Sequence, residues 1–165
     1  MASEKTVFIP KRNHAAKTSA EHLLLVQYRY WMTGHATRKT CYWDRAWEVL
    51  RGTLETEKAK ALFADLHVFT RLLREQAVRD LSWHPSPCQC PCHDESLVLS
   101  LIHASQCAEE FTEILAASEL LGTHRVDCLV EASRATAKGL KSCGFILQSG
   151  EVLPHSPPSQ RPVLH

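Results

Sequence analysis

The fold is decided by ETEKAKALFADLHVFTRLLREQAVRD, residues 55–80. Apolar residues recur there every three or four positions, which is the spacing that places side chains on one face of an α-helix. The apolar stripe consists of Ala59, Leu62, Leu66, Phe69, Leu73 and Ala77. Charged residues such as Glu57, Lys60 and Arg71 cover the other face. The stretch therefore predicts a long amphipathic helix that forms one wall of a helical bundle.

Helical periodicity recurs in four other segments, and no part of the sequence alternates in the way that is typical of a half-buried strand. A capping box of Thr18 and Glu21 is expected to begin the first segment, and a glycine follows or ends each of the four. The segments are residues 18–34, 43–52, 94–121 and 126–144. We therefore predict an all-α, single-domain bundle of about five helices, with a disordered N-terminal arm and a Pro-rich C-terminal tail.

The domain organisation follows from local composition. Residues 1–17 are basic and aperiodic and predict a flexible basic arm, and residues 18–147 predict the helical domain, with a Pro/Cys-rich connector at 81–93. Residues 148–165 predict a disordered tail, because they hold too little apolar surface to offset the entropy of ordering. The predicted core consists of Trp47, Leu62, Leu66, Phe69, Leu73, Leu97, Leu101, Phe111, Leu115, Val126, Val130 and Leu140.

The overall composition is that of an ordinary globular protein. Of the 165 residues, 44% are hydrophobic and 22% are charged, which suits one domain with a single core. Neither a signal peptide nor a membrane span is evident, so we predict a cytoplasmic protein with reduced cysteines and no membrane partner. The net charge of +1 argues against bulk attraction to nucleic acid.

The small net charge conceals a strong segregation of charge along the chain. Residues 1–40 carry seven Lys and Arg against two Glu, whereas residues 94–121 carry six acidic residues and no Lys or Arg. Such segments either dock on each other within the fold or form separate partner surfaces. The acidic helix 94–121 and the basic arm are therefore the two candidate surfaces for a protein partner.

The connector concentrates residues that can ligate a metal. Five candidate zinc ligands lie within ten residues: His84, Cys88, Cys90, Cys92 and His93. Zinc requires four thiolate or imidazole ligands in a tetrahedron, but the C-x-C-x-C spacing is tight for a single ion. The alternatives are a zinc-binding protein with a site at residues 84–93, or a stiff linker whose cysteines are small, partly buried hydrophobes.

Cys92 supports a second alternative, a thiol-redox protein. The residue lies two positions before Asp94, the predicted N-cap of the next helix, where backbone N–H groups stabilise an anion. Two rows of possible ligands recur elsewhere on predicted helices, His103–Cys107–Glu110 and His124–Cys128–Glu131. We interpret these rows as coincidental.

The sequence does not assign a biochemical activity. No phosphate-binding loop, dinucleotide fingerprint or metalloprotease motif occurs in it, and no catalytic residue can be named. Zinc is the one cofactor that we consider, and the oligomeric state stays open. The prediction is a non-enzymatic interaction or regulatory protein.

Overall fold

The structure, a computed structural model, describes residues 18–85, 88 and 90–149. These residues form six α-helices and no strand, so the all-α prediction is confirmed and the count of five is wrong by one. The predicted arm 1–17 and all but the first two residues of the predicted tail 148–165 lie outside the described residues. The helices are α1 (Ala20–Thr37), α2 (Cys41–Thr53), α3 (Thr56–Gln76), α4 (His93–Cys107), α5 (Glu110–Leu121) and α6 (Asp127–Ser142).

The extra helix arises because the predicted helix 94–121 breaks in its middle. Ala108 adopts the left-handed conformation with φ of 57° and ends α4. The backbone N–H of Glu109 then donates to the carbonyl of Ala104 over 2.9 Å, the bond that commonly closes a helix C-terminus. Glycine usually occupies such a position. Because this chain has an alanine there, the break cannot be recognised from the sequence.

The core takes buried residues from all six helices, and it confirms most of the predicted core residues. Trp47 and Leu97 are only partly buried at its edge. The prediction is wrong for Phe111 and Leu115, whose side chains are 75% and 54% exposed. The predicted residues that are buried are Leu62, Leu66, Phe69, Leu73, Leu101, Val126, Val130 and Leu140.

The errors at Phe111 and Leu115 have one physical cause. A continuous helix from residue 94 would carry the apolar stripe of α4 directly into them, but the break at Ala108 starts a new helix axis and resets the phase of the stripe. In α5 the buried apolar positions are Ala116, Ala117, Leu120 and Leu121.

The aromatic residues of the first two helices join α1, α2 and α3. The rings of Trp31 and Trp43 lie 5.9 Å apart, and Phe63 packs 4.8 Å from Trp31. Gly34 does not end α1, which continues to Thr37. A Cβ at Gly34 would lie 2.3 Å from the indole nitrogen of Trp43, so this glycine lets α1 and α2 approach closely.

The end of the described chain packs against its beginning. Leu147 is buried, and the backbone N–H of Gln148 donates to Glu21 Oε1 over 2.6 Å. The contacts of the helical domain therefore include Gln148. Within the described part of the chain, no helix combines the length and the hydropathy that crossing a bilayer requires.

Candidate functional site

A buried ion pair lies beneath the connector. Glu95, in the first turn of α4, is fully buried and faces Arg29 of α1, which is 4% exposed. Arg29 Nε lies 2.6 Å from Glu95 Oε1, and Nη2 lies 3.1 Å from Oε2. Burial alone would raise the pKa of Glu95, but the hydrogen bonds from Arg29 and from two backbone amides outweigh burial and hold the pKa below its usual value.

The same pair fixes the backbone of the connector. Glu95 accepts hydrogen bonds from the backbone N–H groups of His84 and Cys92, over 3.1 and 2.9 Å. Arg29 donates to the carbonyl oxygen of Cys88. Two buried charges therefore hold both ends of a segment that has few apolar side chains of its own.

Asp94 makes a second pair beside the first. This carboxylate is buried, binds the guanidinium of Arg79 and accepts the N–H of Ser82 over 2.7 Å. Its pKa is lowered, because these hydrogen bonds outweigh the opposing effect of burial. The hydroxyl of Tyr28 donates to the carbonyl of Ser82 over 3.4 Å, and burial raises the pKa of Tyr28. We call Arg29, Arg79, Asp94 and Glu95 the charge cluster.

The charge cluster changes how the acidic segment is interpreted. Asp94 is not the N-cap of α4, since that position belongs to Cys92, and its carboxylate points inward. Glu113 of α5 is also buried and binds Arg134 of α6 over 2.7 Å. Half of the six acidic residues of 94–121 thus form internal ion pairs and are not available to a partner surface.

Four of the five predicted zinc ligands make hydrogen bonds to other groups. His84 Nδ1 donates to the carbonyl of Cys90 over 2.8 Å, and His93 Nε2 lies 2.7 Å from Glu119 Oε1 on α5. The thiol of Cys88 donates to the carbonyl of Cys90 and that of Cys92 to the carbonyl of Ser82. Cys90 is exposed. Among the described residues no three His, Cys, Asp or Glu side chains are grouped to hold a metal, and the zinc site stays a prediction.

The thiol of Cys92 lies in a different environment from the one expected. Burial, followed by the nearby carboxylates of Glu95 and Asp94, raises its pKa, although backbone hydrogen bonds at the start of α4 act in the opposite direction. A raised pKa lowers the fraction of reactive thiolate at neutral pH. All seven cysteines are free thiols.

The two rows of possible ligands do not form single helix faces. His103 Nε2 lies 3.6 Å from Cys107 Sγ on α4, but Glu110 belongs to α5. His124 precedes the start of α6 at Asp127. The first row therefore spans the break at Ala108, and the second begins before its helix does.

Two histidines stand beside the tryptophans. His67 stacks on Trp31 at 5.3 Å, and His35 Nε2 lies 3.3 Å from the hydroxyl oxygen of Thr70. Thr70 donates its own proton to the carbonyl of Leu66, so His35 is the donor to it. Burial, followed by the charge of Arg74, lowers the pKa of His35. These contacts make His35 a neutral packing residue at the junction of α1 and α3.

The outer side of α5 is an apolar surface without a cover among the described residues. Phe111, Ile114 and Leu115 are 75%, 42% and 54% exposed, and their i, i+3, i+4 spacing makes them neighbours on one face. We call these three residues the α5 face. The other large exposed apolar residues, Val68, Val78 and Ile146, are separated along the chain. Scattered apolar residues are normal on a surface, whereas large contiguous exposed groups are typical of interaction sites.

Acidic side chains border the α5 face. Glu109 and Glu110 are exposed at its N-terminal end, and the side chain of Glu119 is 57% exposed at the other end. Arg134, a cation on the neighbouring helix α6, already binds Glu113 and lies 3.6 Å from Glu131. The surface is therefore apolar in the middle and negative at both ends.

Sequence reasoning placed Phe111 and Leu115 in the core and so missed this surface. The signal that could have found it is the excess of apolar residues in 110–121, where Phe111, Ile114, Leu115, Leu120 and Leu121 exceed what one buried stripe needs. Comparison with protein-family models, with curated proteins and with solved structures found no match to the chain.

Proposed function

We propose that the chain is a helical protein-interaction module that binds a partner through the α5 face. The observation that carries this proposal is the contiguous exposure of Phe111, Ile114 and Leu115 on a helix whose other side is packed into the bundle. Leaving three large apolar side chains in water costs free energy, since each fully buried side chain of this size contributes about 1.5–3 kcal/mol.

The partner is an amphipathic helix with basic flanks. An apolar stripe at i, i+3, i+4 and i+7 can pack along the two turns of α5 that the face covers. Lysine or arginine on either side of that stripe complements Glu109, Glu110 and Glu119 and disfavours acidic competitors.

The proposal is tested with the full chain and a defined probe. The probe is a fluorescein-labelled synthetic helix with leucine on one side and lysine on the other, and fluorescence anisotropy reports its binding. Phe111→Ser combined with Leu115→Ser should weaken binding about tenfold or more, because the apolar contact is removed.

Two matched controls make the result specific. Val68→Ser removes an apolar side chain of α3 that is 50% exposed and should leave the affinity unchanged. A probe with glutamate in place of lysine should bind at least about tenfold more weakly, because it meets the acidic border. Equal losses in the Val68 and the Phe111/Leu115 variants, or no loss in either, would reject the α5 face as the binding site.

A further inference from the structure

The first residues of the chain have the chemistry that the α5 face needs. Val7, Phe8 and Ile9 form an apolar triplet, with Lys5 before it and Lys11 and Arg12 after it. The α5 face has the same arrangement with the opposite charge, since its three apolar side chains lie between carboxylates. The residues 150–165 at the other end of the chain carry one Glu and one Arg and lack this complementarity.

The place where the described chain begins is within reach of α5. Glu21, in the first turn of α1, binds the backbone of Gln148, and the neighbouring Leu147 donates to Gln106 Oε1 over 2.9 Å. Gln106 is the last residue but one of α4, and α5 begins at Glu110. The start of α1 and the start of α5 therefore lie at the same end of the bundle.

The chain that joins the apolar triplet to α1 is long enough for the triplet to reach α5. Eight residues lie between Ile9 and Thr18, and an extended chain over these nine steps spans up to about 30 Å. A tethered segment meets its site at an effective concentration in the millimolar range, so even a weak contact is occupied for much of the time.

We infer that residues 5–12 of this chain occupy the α5 face and compete there with the partner. The inference rests on the proposed function, because it gives that surface a built-in regulator. The apolar triplet covers Phe111, Ile114 and Leu115, and the cations of the segment face Glu109 and Glu110. A partner then has to displace the segment before it can bind.

Photo-crosslinking tests the contact directly. The full chain is prepared with p-benzoylphenylalanine in place of Phe8, irradiated, and mapped by mass spectrometry. Crosslinks should join residue 8 to residues 110–118 within one chain and should disappear when Phe111→Ser and Leu115→Ser are added. Crosslinks dispersed over other helices, crosslinks to residues 150–165, or crosslinks between two chains would overturn the inference.

Competition with the amphipathic probe separates this inference from the proposed function. Lys11→Glu with Arg12→Glu in the full chain should raise the affinity for the probe about three- to tenfold, since the competing segment is repelled. Lys39→Glu with Lys58→Glu changes the net charge equally and should have a much smaller effect. If the arm variant binds no better than this control while Phe111→Ser with Leu115→Ser still abolishes binding, the inference fails and the proposed function stands. If the Phe111/Leu115 variant binds normally, the proposed function fails as well.

Discussion

The first turns of α4 and α5 are both acidic, but only α4 has all the acidic side chains of that turn buried. In α4, Asp94 and Glu95 are buried against Arg79 and Arg29, whereas α5 opens with the exposed Glu110 followed by Phe111, which is 75% exposed. Two carboxylates are thus buried at the start of α4, whereas a phenylalanine is exposed to solvent at the start of α5. Each buried carboxylate in these turns, Asp94, Glu95 and Glu113, has an arginine partner, so an arginine within reach determines whether a carboxylate can be buried. The exposed Phe111 is the residue on which the proposed interaction surface rests.

The largest change in the free energy of unfolding is expected for a substitution of Glu95. Glu95→Gln keeps the shape of the side chain but leaves Arg29 as a buried charge without its counter-charge, which should lower the free energy of unfolding by about 3–5 kcal/mol. Urea denaturation followed by circular dichroism measures the change. The exposed Glu110→Gln is the matched control and should stay within about 0.5 kcal/mol of the parent. A loss at Glu95 no larger than that of the control would mean that the charge cluster does not stabilise the fold.

Acid should weaken the protein through the same two carboxylates. The pKa values of Glu95 and Asp94 are lowered in the folded state from ordinary values of 4.5 and 3.8, so their contribution is complete above the ordinary values and is lost as the pH falls through the lower folded values. The contribution of these two carboxylates to the free energy of unfolding should therefore be nearly constant between pH 7 and about pH 5 and should decrease below about pH 4.5, whereas the lowered pKa of His35 removes some stability already as the pH falls below its ordinary value of 6.5.

The Glu95→Gln variant sharpens this expectation. It lacks one of the titrating groups, so its free energy of unfolding should decrease less steeply in acid than that of the parent. Denaturation curves collected from pH 7 to pH 3 compare the two slopes. Parallel curves for parent and variant would show that Glu95 has an ordinary pKa in the folded protein.

A smaller loss of folding stability is expected when the ion pair that links α5 to α6 is broken. Glu113 is buried, but its partner Arg134 has a side chain that is 45% exposed. Hydrogen bonds from Arg134 hold the pKa of Glu113 below its usual value, yet the exposed guanidinium can be hydrated when the carboxylate is removed. Glu113→Gln should therefore destabilise the fold by less than half as much as Glu95→Gln in the same urea experiment. A larger loss than at Glu95 would reverse the ranking of the two pairs.

The smallest effect on stability is expected at the α5 face. Phe111→Ser removes a side chain that is mostly in water, so the free energy of unfolding should change by no more than about 0.5 kcal/mol. Leu120→Ser, on the buried side of the same helix, is the comparison and should destabilise strongly because it places a hydroxyl in the core. Similar losses for the two variants would show that Phe111 is packed in the folded protein.

Much of the fold could be predicted because its determinants are local. The stripe from Leu62 to Leu73 is complete in the sequence, and the buried side of α3 follows it. The positive φ of 68° at Gly122 ends α5, as the glycine predicts. These features depend on residues three or four positions apart, which periodicity detects.

The parts that could not be predicted depend on distant residues or on an atypical turn. Arg29 and Glu95 are 66 positions apart, so nothing near Glu95 indicates that it is buried. The break at Ala108 has no glycine or proline to mark it. Because of this one turn Phe111 lies on the surface, although the helical pattern places it in the core. The candidate surface is missed for the same reason, since the predicted core includes two of its three residues, Phe111 and Leu115.

The most direct test of the interaction surface is an NMR titration of the full chain with the leucine–lysine helix. We predict that the largest amide shift changes occur in residues 110–118 of α5 and in residues 5–12, with small changes in the first turn of α4 and in the connector. Shift changes concentrated around Asp94, Glu95 and the connector, with α5 unaffected, would contradict it.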